Sequence, residues 1–253
     1  MELWKAAVLG IVQGLTEFLP VSSSAHVLLF ERLLGVNTGG DLFFGVMLHA
    51  GTLCSLLIAC RERIVSLFCS ERKKLLYLLL ATLPAALAGV FLGDLVERLF
   101  FGGAFLPYAF IATGVLLLFC GKVKRTPRLL NAPRALGVGF SQALAVIPGL
   151  SRSGTTYAAG VFLGLSREEA ADFSFLLAIP IVGGALLFEL IKAGRSAALP
   201  VGWAPLFTGA CCAAVSGLVA LAILRPLFSK GKLWGFSVYL FVLAAVLFFV
   251  PLA

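Results

Sequence analysis

The sequence predicts an all-α protein that crosses a membrane several times, and three observations carry that prediction. First, 60% of the 253 residues are hydrophobic and only 13% are charged. A mean hydropathy of +1.05 is more apolar than a soluble globular chain of this length has use for. Second, the apolar residues form continuous runs, such as Leu75 to Leu92 and Phe236 to Leu252. An outer-membrane barrel would show ten-residue alternating segments instead. Third, the basic residues behind the net charge of +8 are divided among short loops. That suits cytoplasmic loops of a membrane protein and argues against a nucleic-acid partner.

Six segments read as spanning helices, at about 43–60, 75–93, 107–121, 173–191, 204–224 and 234–251. Two others, about 1–34 and 135–165, are apolar but broken by Pro, Gly and Ser, and each reads as a re-entrant helix-loop-helix. The first lacks the basic start and small-residue cleavage site of a signal peptide. The loops 61–74, 122–134 and 225–233 hold 13 of the 20 Lys and Arg residues, which predicts that this side is cytoplasmic and that both termini lie outside. The six cysteines, 54, 60, 69, 120, 211 and 212, form no CxxC pair and read as small buried hydrophobes.

The chain also reads as a duplication within one membrane domain, 1–253, with halves at about 1–125 and 126–253. A shift of 128 residues lays Ala85, Ala86, Gly89, Leu99 and Phe100 on Ala213, Ala214, Gly217, Leu227 and Phe228. It also lays Pro20 on Pro148 and Ser23 on Ser151. With three more residues of shift, Asp41 and Phe44 meet Asp172 and Phe175. Each half would hold one broken segment and three spans. An odd number of crossings inverts the second half, which brings the two broken segments together at the midplane.

The polar chemistry sits in those segments. The first reads Gln13-Gly-Leu-Thr-Glu17-Phe-Leu-Pro20-Val-Ser-Ser-Ser-Ala-His26. Gln13 and Glu17 share a helix face, Pro20 ends the helix, and Ser22, Ser23 and Ser24 form the turn into the next one. A serine there can cap the new helix, and free N–H groups at its start favour an anion. The second segment, Pro148-Gly-Leu-Ser151-Arg152-Ser153-Gly154-Thr155-Thr156, adds hydroxyls and one arginine. An Arg at membrane depth costs about 2.5–3.5 kcal/mol on insertion scales, and an anionic partner offsets it. Its fork of donors matches phosphate oxygens. The pattern points to a phosphorylated, membrane-resident substrate. A Ser or His can attack phosphorus, and Glu with Gln can hold a divalent metal through oxygen. Glu17 also reads as a structural charge paired with Arg152. His49, with no polar neighbours in sequence, reads as a packing residue.

At these residues the chain resembles the undecaprenyl-diphosphate phosphatases, also called bacitracin-resistance phosphatases. The resemblance rests on Gln13 and Glu17 running into "FLPVSSSAH", on "PGLSRSG" from Pro148 to Gly154, and on "DFSFLLAIP" from Asp172 to Pro180. It covers nearly the whole chain. It implies a multi-pass enzyme of the bacterial inner membrane, with a site opening towards the periplasm, that takes undecaprenyl diphosphate to the monophosphate for cell-wall synthesis. It further implies Mg²⁺ or Ca²⁺ and a homodimer. Gln13 and Glu17 match the metal-associated pair. Ser23 and His26 match residues proposed as nucleophile or acid-base, and Arg152 matches the phosphate-binding arginine. Ser151 and Ser153 are its hydroxyl neighbours, with Ser22, Ser24 and Thr155 as further substrate contacts. Two positions depart from the usual pattern: Gln stands first in the metal motif, and His49 stands where relatives more often carry Gln. The attacking atom remains open between Ser23, His26 and water. A lipid-phosphate flippase on the same inverted repeat is the alternative from another class.

Overall fold

The computed structural model describes residues 1–36, 42–100, 103–123, 126–193 and 202–249. Eleven α-helices make up the described chain, and no strand occurs among those residues. In order they are α1 Leu3–Phe18, α2 Ser23–Leu33, α3 Leu42–Ala59, α4 Arg61–Cys69, α5 Arg72–Phe100 and α6 Leu106–Lys122. There follow α7 Ala132–Leu144, α8 Arg152–Phe162, α9 Arg167–Ala193, α10 Trp203–Lys230 and α11 Trp234–Phe249.

Apolar residues cover the outside as well as the core. Along α5, Leu76, Leu79, Leu83, Leu87 and Val90 recur at helical spacing and are all exposed. On α11, Val238, Val242, Val246 and Phe249 form a second exposed stripe. Large apolar faces turned outward at this density belong in lipid. The interior holds Phe18, Phe110, Tyr157, Phe173, Phe175 and Phe228, each almost fully buried.

Among the described residues, three helices are long and apolar enough to span a membrane: Arg72–Gly93 of α5, Arg167–Phe188 of α9, and α10. The pair α3–α4, bent by 68°, makes a fourth if it is one span. The other two expected spans fall on α6 and α11, shorter apolar helices of 17 and 16 described residues. The predicted loop 61–74 is largely helical, because α4 fills it. Ion pairs Arg63–Asp172 (3.0 Å) and Lys74–Glu169 (2.8 Å) tie this corner to α9. The loop 225–233 likewise begins inside α10, which runs to Lys230 and stops at Gly231 in the left-handed region (φ 64°). Asp41, which the repeat register lays on Asp172, lies outside the described residues, as do Lys124 and Arg125 of the basic loop. The side chains of Leu99 and Phe100 do also.

Both broken segments are helix-break-helix, as the prolines and glycines predict. α1 and α2 are separated by Leu19–Ser22, and α7 and α8 by the seven residues 145–151. Each first arm packs on a long helix of the other half: α1 on α10, and α7 on α5. Close approach makes these contacts. A Cβ on Gly10 would lie 2.9 Å from the Cβ of Cys212, and one on Gly139 would lie 2.9 Å from the Cα of Ala81. Small residues bring membrane helices this near, where dispersion replaces the missing hydrophobic drive. Among the cysteines only Cys60 and Cys120 are buried; Cys54, Cys69 and Cys211 face outward and Cys212 is intermediate, so they are apolar surface rather than core.

Candidate active site

The two breaks meet. Gly154, at the start of α8, faces Pro20 so closely that an added Cβ would stand 3.0 Å from the proline Cβ. Past the end of α1 the Leu19 carbonyl accepts the Val21 N–H at 2.8 Å, and the second segment adds hydroxyl donors to it. Ser153 donates to it at 3.0 Å and Ser151 at 3.5 Å. Ser151 also caps α8, accepting from the Gly154 N–H at 3.2 Å, while its own N–H reaches Thr113 on α6 at 3.3 Å.

That junction sets a carboxylate at the centre. Glu17, in the last turn of α1, is 7% exposed. One of its oxygens, Oε2, accepts the Ser23 hydroxyl at 2.6 Å and the Gln13 amide at 2.9 Å. The other, Oε1, takes Nη2 of Arg152 from α8. His49 on α3 completes the group, its Nδ1 3.0 Å from the Gln13 amide nitrogen and 3.5 Å from Glu17 Oε2. The Arg152 Nη1 is buried and has no hydrogen-bond partner. A charged donor left so is costly unless something negative comes to it.

Beside this group lies a cavity of about 250 Å³. Its polar wall is Glu17, Ser22, Ser23, Ser24, His49, Ser151 and Arg152. Its apolar wall is Ala145, Leu150, Ile181, Val182 and Ala185. That volume suits a small charged head group rather than a whole lipid. The apolar wall offers a surface along which a chain can leave.

Not every residue expected here reaches the cavity. His26 points away from it: its Nδ1 is 2.7 Å from the Ser22 carbonyl and its Nε2 is 2.7 Å from the Tyr239 hydroxyl. In this arrangement both ring nitrogens of His26 are engaged outside the cavity. Ser153 does not line the cavity, and its hydroxyl serves the Leu19 carbonyl. Thr155 does not line it either; its hydroxyl is buried without a partner. The Ser22 side chain caps nothing, since α2 begins with no side-chain cap bond. His49 is the residue that the sequence missed. The one signal was that His49 stands where relatives more often carry Gln, and without the fold nothing tied that place to Gln13 and Glu17.

Gln13 and Glu17 were expected to hold a divalent metal. They offer one carboxylate and one amide, and no group of three or more His, Cys, Asp or Glu suited to a metal occurs among the described residues. A hard cation usually takes one or two carboxylates together with substrate phosphate oxygens, so Glu17 in the cavity wall fits a metal that arrives with a diphosphate, whereas Gln13 lies outside that wall and turns its amide nitrogen to Glu17 and His49.

Two broken helices meet here at an ion pair inside an apolar shell, beside a head-group-sized cavity with Arg152 in its wall, the arrangement of a membrane protein that engages a phosphorylated lipid. Comparison with known proteins narrows the class. Residues 6–246 match the family described as "Bacitracin resistance protein BacA", and the chain belongs to that family. It is 38% identical over 252 residues to the undecaprenyl-diphosphatase of Thermodesulfovibrio yellowstonii, covering 98% of this chain and 96% of that one. It is 41% identical over 256 residues to the protein of the same name from Geobacter sulfurreducens, covering 94% of each. Another of that name, from Carboxydothermus hydrogenoformans, is 38% identical over 253 residues.

Proposed function

We propose that this chain hydrolyses undecaprenyl diphosphate to undecaprenyl phosphate and inorganic phosphate, recycling the lipid carrier for cell-wall synthesis. The relatives' shared name supports this reaction over lipid flipping. The observation that carries it in the structure is the Ser23 hydroxyl, 2.6 Å from a carboxylate that also holds Arg152. Nη2 of Arg152 is committed to Glu17, while Nη1 is buried with no partner, so a phosphate oxygen that reached it would satisfy that donor. The arginine can therefore bind substrate without leaving its partner.

The chemistry follows from that arrangement. Ser23 attacks the terminal phosphorus in line with the bridging oxygen. Its proton passes to Glu17, and the lipid monophosphate leaves with the bond's electron pair. Arg152 meets the charge that grows on the equatorial oxygens. Water held by the same carboxylate then releases phosphate from Ser23 and restores the hydroxyl. Direct attack by a water in place of Ser23 uses the same base. Ser22, Ser24 and Ser151 line the cavity as further substrate contacts. Glu17 would hold a divalent cation, Mg²⁺ or Ca²⁺, which supplies charge neutralisation to the bound diphosphate.

The wider architecture belongs to the same proposal. Six crossings with both termini outside, two inverted repeats and a periplasmic opening in the inner membrane suit the basic loops and the exchanged packing of α1 on α10 and α7 on α5. A homodimer is part of the proposal from family resemblance. The deciding experiment is phosphate release from C55 diphosphate by detergent-purified protein. Detergent removes sidedness, so an enzyme still gives signal and a flippase gives none. Rapid quench with labelled substrate then tests the attacking group: an acid-stable phosphoserine that Ser23→Ala abolishes supports Ser23, and no covalent intermediate supports water.

A further inference from the structure

Ser22 is strained. It is the one non-glycine residue with positive φ among the described residues, at φ 72° and ψ 98°. Nothing in its own side chain explains this, since no cap bond is made there. A conformation of this kind persists only when its surroundings over-determine it. Its carbonyl is the group that is held. The His26 backbone N–H reaches it at 3.3 Å, and His26 Nδ1 reaches it at 2.7 Å. A carbonyl can only accept, so Nδ1 carries the proton. In the neutral ring Nε2 is then an acceptor, and the Tyr239 hydroxyl donates to it at 2.7 Å. The two rings also stack, with centroids 5.7 Å apart and planes 22° apart, and Phe110 closes the other side at 5.9 Å.

Tyr239 stands on α11, 213 residues along the chain from His26, with its ring 45% exposed on the apolar outer surface. Packing alone gives no reason for a phenol there; a phenylalanine would fill the same space. A continuous path runs inward from it, through the His26 ring and the Ser22 carbonyl to Ser23 and Glu17.

We propose that Tyr239 and His26 are a positioning pair: the Tyr239 hydroxyl holds the imidazole so that Nδ1–H keeps Ser22 in its strained turn and Ser23 against Glu17. His26 then acts through the backbone and not on phosphorus, and Tyr239 is a further residue on which the reaction depends. The inference rests on the hydrolytic reading above.

Three variants test it in detergent-purified full-length protein, with steady-state hydrolysis of C55 diphosphate followed beside the wild type. Asn at position 26 keeps an N–H donor near Nδ1, whereas Gln carries its amide farther out, towards Tyr239. Positioning predicts that His26→Asn stays about tenfold more active than His26→Gln, the scale of one hydrogen bond lost from a transition state. Asn has no basic nitrogen, so a nucleophile or base at His26 would leave both variants equally dead, and that result overturns the proposal. Tyr239→Phe should lower kcat by about three- to tenfold, the effect of losing one neutral hydrogen bond, with KM little changed. Wild-type kcat in Tyr239→Phe removes Tyr239 from the pair. A wild-type enzyme that releases no phosphate defeats the hydrolytic reading itself, a failure separate from either variant result.

Discussion

The two helix breaks use one device for different ends. The first turns in four residues, leaves α2 without a side-chain cap, strains Ser22, and carries Glu17 and Ser23. The second takes seven residues, places its positive φ on Gly149 where it costs little, and caps α8 with Ser151. Its hydroxyls mostly hold structure: Ser151 and Ser153 on the Leu19 carbonyl, Thr156 on Ser174 at 2.6 Å. Arg152 reaches the Glu17 carboxylate, and Ser151 beside it lines the cavity. Packing brings out a further contrast. Gln13 follows three residues after Gly10, which rests on α10; Gln142 follows three residues after Gly139, which rests on α5. Four residues after Gln13 comes Glu17, but four after Gln142 comes Val146. Both side-chain atoms of Gln142 are buried without a partner, whereas Gln13 has Glu17 and His49. One break has kept its strain and its carboxylate, and the other has kept the scaffold.

The largest effect should come from removing the carboxylate that joins the breaks. Glu17→Gln keeps the shape but loses the base for Ser23 and the counter-charge for Arg152. A fall in kcat of about 10³-fold is expected, within the usual range for a general base. Phosphate release by folded protein checks it. Activity within tenfold of wild type would show that the carboxylate only holds Arg152 in place.

Next is Arg152→Lys. Charge is kept, but one ammonium cannot serve Glu17 and a phosphate oxygen in the geometry of the fork. A loss of about ten- to a hundredfold is expected, since charge-assisted hydrogen bonds contribute about 1.5–3 kcal/mol each. Near-normal turnover would mean that a positive field suffices there.

Gln142→Leu should act on stability instead. It exchanges two buried, unpartnered polar atoms for apolar surface, so a gain of about 1 kcal/mol is expected at unchanged turnover. Thermal unfolding in detergent, set beside phosphate release, checks both halves. A loss of activity would show that the second break also holds a working amide.

How much of this was legible follows the physics of each feature. Helix breaks are written in single residues, so Pro20 and "PGLSRSG" could be read directly, while charge in an apolar chain left Arg152 open to either a phosphate or Glu17 as its partner. The expected spans were read from apolar run lengths, which do not record where helices stop or start, so α4 in a predicted loop was not legible. The direction of His26 was hidden, because its partners, a backbone carbonyl and a tyrosine 213 residues away, leave no local pattern. The hydroxyls of Ser151 and Ser153 read equally as ligands or as staples until the Leu19 carbonyl beyond the end of α1 was in view.

The smallest expected loss of turnover is that of His49→Gln, at the residue that sets the surroundings of the first break apart from those of the second. The register that lays Phe44 on Phe175 lays His49 on Pro180, which sits inside α9 and offers no donor or acceptor side chain. His49 is about 40% exposed at the cavity edge, 3.0 Å from the Gln13 amide nitrogen and 3.5 Å from Glu17 Oε2. At Gln13 it serves as an acceptor, a task that a glutamine oxygen performs as well. His49→Gln should therefore keep turnover within about threefold, while His49→Leu, with no acceptor, should lose about tenfold, the cost of one unmade hydrogen bond. If His49→Gln falls as far as His49→Leu, the imidazole proton itself takes part, and the first break would draw a second acid-base group from α3. Rates of the two variants, measured on the same substrate preparation, separate these outcomes.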